Sequence, residues 1–248
     1  MLRLLADTPL STGGPSFAGG LPTANNFPHK GTKSSNWEGG IRGNAWVSGG
    51  FLQAHSSRVG TKLEGLTHIC DYYHTFAALA GVDPTDHRAA AAGLPPIDSL
   101  DLMPYLSGAA TTSPRSEVFA DPDTLIVGDW KLVGANAANA SEAAGKGSPV
   151  PFACWMGPRY PNGSADPHCH RSEDCASAGG CLYDLARDPA EHVDLASAEP
   201  ARLRQLQARL AALQPSVFLP DRGVDDGAAD RAARELHGGY WGPFLFGE

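Results

Sequence analysis

The stretch Asn25-Asn26-Phe27-Pro28-His29-Lys30-Gly31-Thr32-Lys33-Ser34-Ser35-Asn36-Trp37-Glu38-Gly39-Gly40-Ile41-Arg42-Gly43 decides how the chain is read. It sets Lys30, Lys33 and Arg42 among amides, hydroxyls and glycines in a chain that is otherwise acidic, with 19 Lys and Arg against 27 Asp and Glu and a net charge of −8. Fixed cations and backbone N–H groups on a glycine-rich loop suit a tetrahedral oxyanion. The spacing G-x-x-x-x-G-K-[ST] of a nucleotide phosphate loop is absent. The competing reading is a glycine-rich surface loop with ordinary solvated lysines.

Working outward, Leu2 to Ala6 is an apolar run ending at Asp7 and reads as a buried strand. Residues 8–36 have no hydrophobic period and read as a long loop, a kind that is uncommon unless functional. Gly43 to Leu52 is β-compatible. Thr67 to Ala80 carries Ile69, Phe76, Ala77 and Ala80 before Gly81, which predicts a short amphipathic helix with a glycine stop. Residues 84–98 read as loop, and Leu100 to Leu106 as a helical turn. Glu117 to Ala120 reads as a strand. Thr124-Leu125-Ile126-Val127 and Trp130-Lys131-Leu132-Val133 bracket Gly128-Asp129, a tight hairpin signal. Residues 134–180 form a long loop, Cys181 to Leu185 a short strand, and Arg187 to Glu191 a turn. Glu199 to Gln214 is the clearest helix, with Leu203, Leu206, Leu210 and Leu213 on one stripe, Pro200 in its first turn and Pro215 ending it. The tail from Pro220 reads as irregular. Strand, loop, strand and helix in the first 110 residues suggest α/β, and the strands and single long helix afterwards suggest a small α+β unit. The boundary falls in Gly108–Pro114.

Composition excludes some functions. A net charge of −8 argues against nucleic acid as a partner, and no run of 18 apolar residues is available to span a membrane. Hydrophobic residues at 42% allow a sizeable core. Gly and Pro together make about a fifth of the 248 residues, well above the usual share of roughly 12%, so many loops are expected. Of the five cysteines, Cys154, Cys169, Cys175 and Cys181 lie in one loop-like stretch. Disulfides are the favoured reading. A zinc site is the competing one, because His168 and His170 flank Cys169, but the gaps are wider than structural zinc sites prefer. Four cysteines allow three pairings, and the sequence does not choose among them. Cys70 reads as a small buried hydrophobe. The sequons at Asn139 and Asn162 are glycosylation candidates and, with the cysteines, favour a secretory origin. Met1 to Ala6 is too short for a signal-peptide core.

The opening stretch resembles the lysine loop of the type I sulfatases, near the arylsulfatase B group. The family pattern runs N-x-P-x-x-G-x-K, a short spacer, then W-E-G-G-[IV]-R. Asn26, Pro28, Gly31, Lys33, Trp37, Glu38, Gly39, Gly40, Ile41 and Arg42 match it in order. Farther on, His68-Ile69 with Asp71, Leu100-Asp101-Leu102, Gly128-Asp129-Trp130-Lys131-Leu132, Leu182 to Glu191 and Trp241-Gly242-Pro243 are similar to later family segments.

The resemblance implies a fold and a chemistry. The fold is α/β, with residues 1–110 as the last part of the sulfatase (alkaline phosphatase-like) catalytic sheet. Residues 111–248 would form a small α+β C-terminal subdomain with an antiparallel sheet and one long helix. The chemistry is hydrolysis of sulfate esters on a sulfated small molecule or glycan. The nucleophile is a formylglycine made from cysteine in C-x-P-S-R, and Ca2+ neutralises the sulfate and orients the nucleophile. Lys33 matches the lysine that contacts the sulfate, a catalytic and substrate-binding position. Asp7 stands where the family has an Asp-Asn pair that ligates calcium, although Thr8 follows it here. Trp37, Glu38 and Arg42 are expected to brace the loop. None of the five cysteines stands in C-x-P-S-R, so the chain looks like the C-terminal half of a sulfatase, inactive alone. Its parent is expected in the secretory pathway, lysosomal or extracellular. The alternatives are a non-catalytic remnant that binds sulfated glycans or other anions, and a phosphoesterase of the alkaline phosphatase superfamily.

Overall fold

The computed structural model describes residues 2–5, 26–31, 35–134, 175, 179–217 and 227–240. The chain divides into two units, Met1–Ser216 and Val217–Glu248.

The first unit carries two sheets. Strands β1 (Leu2–Leu5), β2 (Arg42–Ala45) and β3 (Leu66–His68) form a three-stranded sheet in the order β2-β1-β3. β1 runs antiparallel to β2, with Leu5 opposite Arg42, and parallel to β3, with Leu5 opposite His68. The lysine-loop stretch therefore leads directly into a strand beside β1. Helices α1 (Glu38–Ile41), α2 (Gly50–His55), α3 (Asp71–Ala80), α4 (His87–Ala91) and α5 (Met103–Ser107) complete this region. Gly81 ends α3 with φ +67, as the glycine stop predicts.

The second sheet is the antiparallel meander β4 (Glu117–Asp121), β5 (Thr124–Val127), β6 (Trp130–Val133) and β7 (Cys181–Asp184). Val127 pairs with Trp130 across Gly128-Asp129, and Gly128 has φ +58, the left-handed geometry a tight hairpin needs. One face of the sheet places Leu132 and Leu182 under Ala196, Leu203 and Leu206. The two leucines of the stripe come from α6 (Pro200–Leu213), and burying each contributes about 1.5–3 kcal/mol. Arg209 clasps Glu117 with two hydrogen bonds of 2.9 and 2.5 Å, fixing α6 along the sheet. The other face presents Val118, Ala120, Ile126, Val133, Cys181 and Tyr183 to Trp37, Ile41 and Leu66. The lysine loop is thus a layer of the second sheet's core, although it precedes that sheet by about eighty residues.

Several sequence expectations are corrected. Only Gly43 to Ala45 of the β-compatible run is strand, and Gly50 to Leu52 belong to α2. Gly49, at φ +121, breaks the extended backbone there. Thr67 and His68 belong to β3, so the helix starts at Asp71. Helix α4 lies in the expected loop 84–98, capped by Asp86, which accepts hydrogen bonds from the N–H groups of Arg88 and Ala89. In the second unit, α7 (Gly227–Glu235) replaces the irregular tail, with Asp230 and Arg234 paired one turn apart.

Candidate functional site

The loop is pinned to the second sheet through successive residues. Gly39 N–H donates to the Lys30 carbonyl at 2.6 Å, closing the turn on itself. A Cβ at Gly39 would lie 2.5 Å from that carbonyl oxygen, so only glycine permits the approach. Gly31 has φ +82, and a side chain there would run into Trp37. Asn26 donates to the Gly31 carbonyl at 3.2 Å, and the Phe27–Pro28 peptide is cis. His29 Nδ1 donates to the Pro189 carbonyl at 2.9 Å, tying the loop to the turn after β7. Asn36 donates to Thr124 Oγ1 at 2.8 Å and to Asp121, both in the β4–β5 hairpin.

The aromatic and ionic contacts are buried. Trp37 stacks edge-on against Tyr183 of β7, with ring centroids 5.6 Å apart. Lys30 lies with Nζ 3.9 Å from the Trp37 ring centroid, a cation–π contact, and is only 8% exposed. Glu38 is fully buried. Its Oε1 accepts a hydrogen bond of 3.2 Å from Lys131 of β6, its Oε2 lies 3.7 Å from Arg42, and its backbone N–H donates to Glu191 Oε2 at 2.7 Å. Glu191 Oε1 meets Lys131 Nζ at 2.7 Å, an ion pair without the alignment of a hydrogen bond. Two carboxylates thus share one buried ammonium. Burial pushes the Glu191 carboxyl up from its ordinary pKa, the neighbouring Glu38 adds to that, and Lys131 opposes it.

These contacts change how the loop's cations are read. Lys30 is turned onto Trp37 and Arg42 toward Glu38. The N–H groups of Glu38, Gly39, Gly40 and Ile41 bond to protein acceptors, so this glycine pair serves close packing and not an anion cradle. Trp37, Glu38 and Arg42 all sit within the anchored part of the loop. Lys33 and Asp7 lie outside the described residues, as do Asn139, Asn162, Cys154 and Cys169. Cys175 is joined to Cys181 by a disulfide.

Sequence reasoning passed over Lys131 and Glu191 as site residues, although both stand in segments it singled out. A lysine inside the apolar run Trp130 to Val133 was the available signal. It also passed over a second ionic cluster. Asp71 is buried and takes hydrogen bonds from Arg115 Nε at 2.8 Å and Nη2 at 2.5 Å, and from the N–H groups of His68 and Leu100 at 2.8 and 3.0 Å. Burial alone would raise the Asp71 pKa, but Arg115 and the two N–H groups hold it below the ordinary value. Cys70 is half-buried and not fully buried as expected. Its thiol lies 2.8 Å from His68 Nδ1, and burial with the nearby Asp98 pushes its pKa up to about 12, so it is not an activated nucleophile.

No protein-family model matches the chain. Mouse arylsulfatase J is 28% identical, over 91% of this chain and 38% of its own length. Human steryl-sulfatase is 34% identical over 104 residues, which is 42% of this chain and 16% of that protein. The chain is similar to members of the sulfatase family. It corresponds to a C-terminal region of these enzymes and spans less than two-fifths of the arylsulfatase J sequence. A solved structure from work on glycosaminoglycan metabolism by Bacteroides thetaiotaomicron aligns at a TM-score of 0.46 and 21% identity, covering 75% of this chain and 32% of the other. Among the described residues no helix is long and apolar enough to cross a membrane. Nor do they gather three or more His, Cys, Asp or Glu side chains that could hold a metal.

Proposed function

We propose that this chain supplies the lysine loop and C-terminal sheet of a sulfuric ester hydrolase acting on a sulfated small molecule or glycan. One observation carries the reading: the ordered match of Asn26, Pro28, Gly31, Lys33 and Trp37 to Arg42 with the sulfatase loop, in which Gly31, Gly39 and Trp37 each have a packing reason here. Lys33 stands in the three-residue segment between Gly31 and Ser35. Its ammonium stabilises negative charge on the bound sulfate and on the departing ester oxygen, a contribution of about 3–4 kcal/mol for one such donor. Trp37, Glu38 and Arg42 hold the loop that carries it.

The family nucleophile, a formylglycine, has no C-x-P-S-R precursor in these 248 residues, and no step is derived through it. Ca2+ would neutralise the sulfate. The described residues do not by themselves compose such a site, and Asp7 is its candidate ligand in this chain. The Cys175–Cys181 disulfide and the sequons at Asn139 and Asn162 support a secretory route for the parent, lysosomal or extracellular. For the 248 residues alone, the lack of the nucleophile motif favours a second reading, an anion- or sulfated-glycan-binding module without turnover. Residues 1–110 are taken as catalytic-domain sequence and 111–248 as the C-terminal subdomain.

Sequencing the transcript through its 5′ end tests the assignment. The expected result is an upstream reading frame encoding paired aspartates and C-x-P-S-R. A stop codon directly upstream of Met1, with a 25.9 kDa product in cells, would leave only the binding reading.

A further inference from the structure

We infer that Lys131 and Glu191, from the C-terminal sheet and the turn after it, are positioning residues for the sulfate-contacting lysine loop, an inference that rests on the sulfatase reading above. The two residues lie 93 and 153 positions from Glu38 in sequence, yet their charged groups converge on it. Lys131 Nζ bridges Glu38 Oε1 at 3.2 Å and Glu191 Oε1 at 2.7 Å. Glu191 Oε2 takes the Glu38 backbone N–H at 2.7 Å, the first N–H of the turn α1 and one that has no partner within its own helix. A neutral, purely apolar layer could pack this interface as well, because a buried ion pair gives little net stability over apolar replacements. What it does give is register. Charge-assisted hydrogen bonds with fixed directions hold one backbone position and reject neighbouring ones.

A second observation points the same way. Glu191 has φ +58, a left-handed backbone that is uncommon for a residue other than Gly, Asn or Asp and is costly to hold. A glycine would avoid that cost but could not reach Lys131 or Glu38. The same turn supplies the Pro189 carbonyl that accepts from His29, on the other side of residues 32–34. The turn therefore grips the loop on both flanks of Lys33, at His29 and at Glu38. The strand beneath adds Lys131, and the β4–β5 hairpin adds its contacts to Asn36. The two described stretches that flank Lys33 in sequence, 26–31 and 35–42, thus both rest on the C-terminal sheet and the turn after it. This assigns the small C-terminal sheet a positioning role in the reaction.

The test uses the 248-residue chain and three variants, Lys131→Met, Glu191→Ala and the isosteric Glu191→Gln. Amide hydrogen exchange is followed separately for residues 26–42 and for the sheet strands, and inorganic sulfate is titrated by calorimetry. Lys131→Met and Glu191→Ala are expected to speed exchange in 35–42 and to weaken sulfate binding. Each effect should be about tenfold or more, the scale of one lost hydrogen bond to a charged group, while residues 117–133 and 181–184 keep their protection. Glu191→Gln keeps an acceptor for Glu38 N–H and is expected to recover most of the protection. Unchanged exchange in 35–42 for both Lys131→Met and Glu191→Ala would overturn the inference. So would an equal loss across the whole sheet that Glu191→Gln fails to reverse. If the unmodified chain binds no sulfate, the assignment of Lys33 fails, and the exchange pattern still decides whether the sheet holds the loop.

Discussion

Lys131 Nζ lies 2.7 Å from Glu191 Oε1, and both side chains are withdrawn from solvent. The pair joins a β-strand to a left-handed turn, and both residues meet Glu38. Removing one partner leaves an uncompensated buried charge, which costs about 3–5 kcal/mol. Lys131→Ala is therefore expected to lower unfolding stability by that amount in urea melts. Lys131→Met, which keeps the alkyl volume, should cost less.

The same cluster sets a pH dependence. Burial raises the Glu191 pKa above the ordinary glutamate value, so the folded chain binds this proton more tightly than the unfolded chain. Stability from this group then falls as pH rises through the window between the ordinary and the raised value. Glu191→Gln is expected to flatten stability across that window, as measured by denaturant unfolding at a series of pH values.

Asp71 and Arg115 should show the opposite sign. The Asp71 carboxyl is held below its ordinary value, so its contribution is present above the ordinary aspartate range and is lost as pH falls through the lowered value. Asp71→Ala strands Arg115 and the N–H groups of His68 and Leu100, and a loss of about 3–5 kcal/mol is expected in thermal or urea unfolding.

Gly39→Ala tests the packing of the loop. The added methyl meets the Lys30 and Gly31 carbonyls, which are backbone and cannot swing away. A loss of about 1–3 kcal/mol is expected, with faster amide exchange confined to residues 26–42.

Cys175 and Cys181 are six positions apart, so their bond closes a short loop. On loop-closure entropy its removal costs about 2 kcal/mol. Cys175→Ser is expected to lower the midpoint of unfolding accordingly, with no change in the Lys131 and Glu191 contacts.

Much of this fold is legible in the sequence because its signals are local. The Gly128-Asp129 hairpin, the leucine stripe of α6 and the glycine stop of α3 each follow from turn chemistry or from a period within a few residues. Helices α2, α4 and α7 are not legible. α2 follows an extended apolar run and buries none of its residues, and α4 is held chiefly by the Asp86 cap. The amphipathic reading of α3 found its C-terminal end but neither its start nor its buried side. Asp71 and Thr75 are covered while Phe76 is 62% exposed. At the site, the residue types of the lysine loop pointed to anion chemistry, but Lys30 turns out to be spent on Trp37. Lys131 and Glu191 could not be assigned from spacing, because their contacts span 93 and 153 residues and exist only once the sheet is built. Lys33 and Asp7 rest on the resemblance alone.

The central claim is that Lys33 serves a sulfate ester. Its most direct test is aryl sulfate turnover by the longest product of the gene, made in a host that converts cysteine to formylglycine. The account predicts turnover by the unmodified enzyme and a loss of about two to three orders of magnitude in kcat for Lys33→Ala. It also predicts none from the 248 residues alone. An unchanged rate in Lys33→Ala, or hydrolysis by the isolated chain, would contradict it.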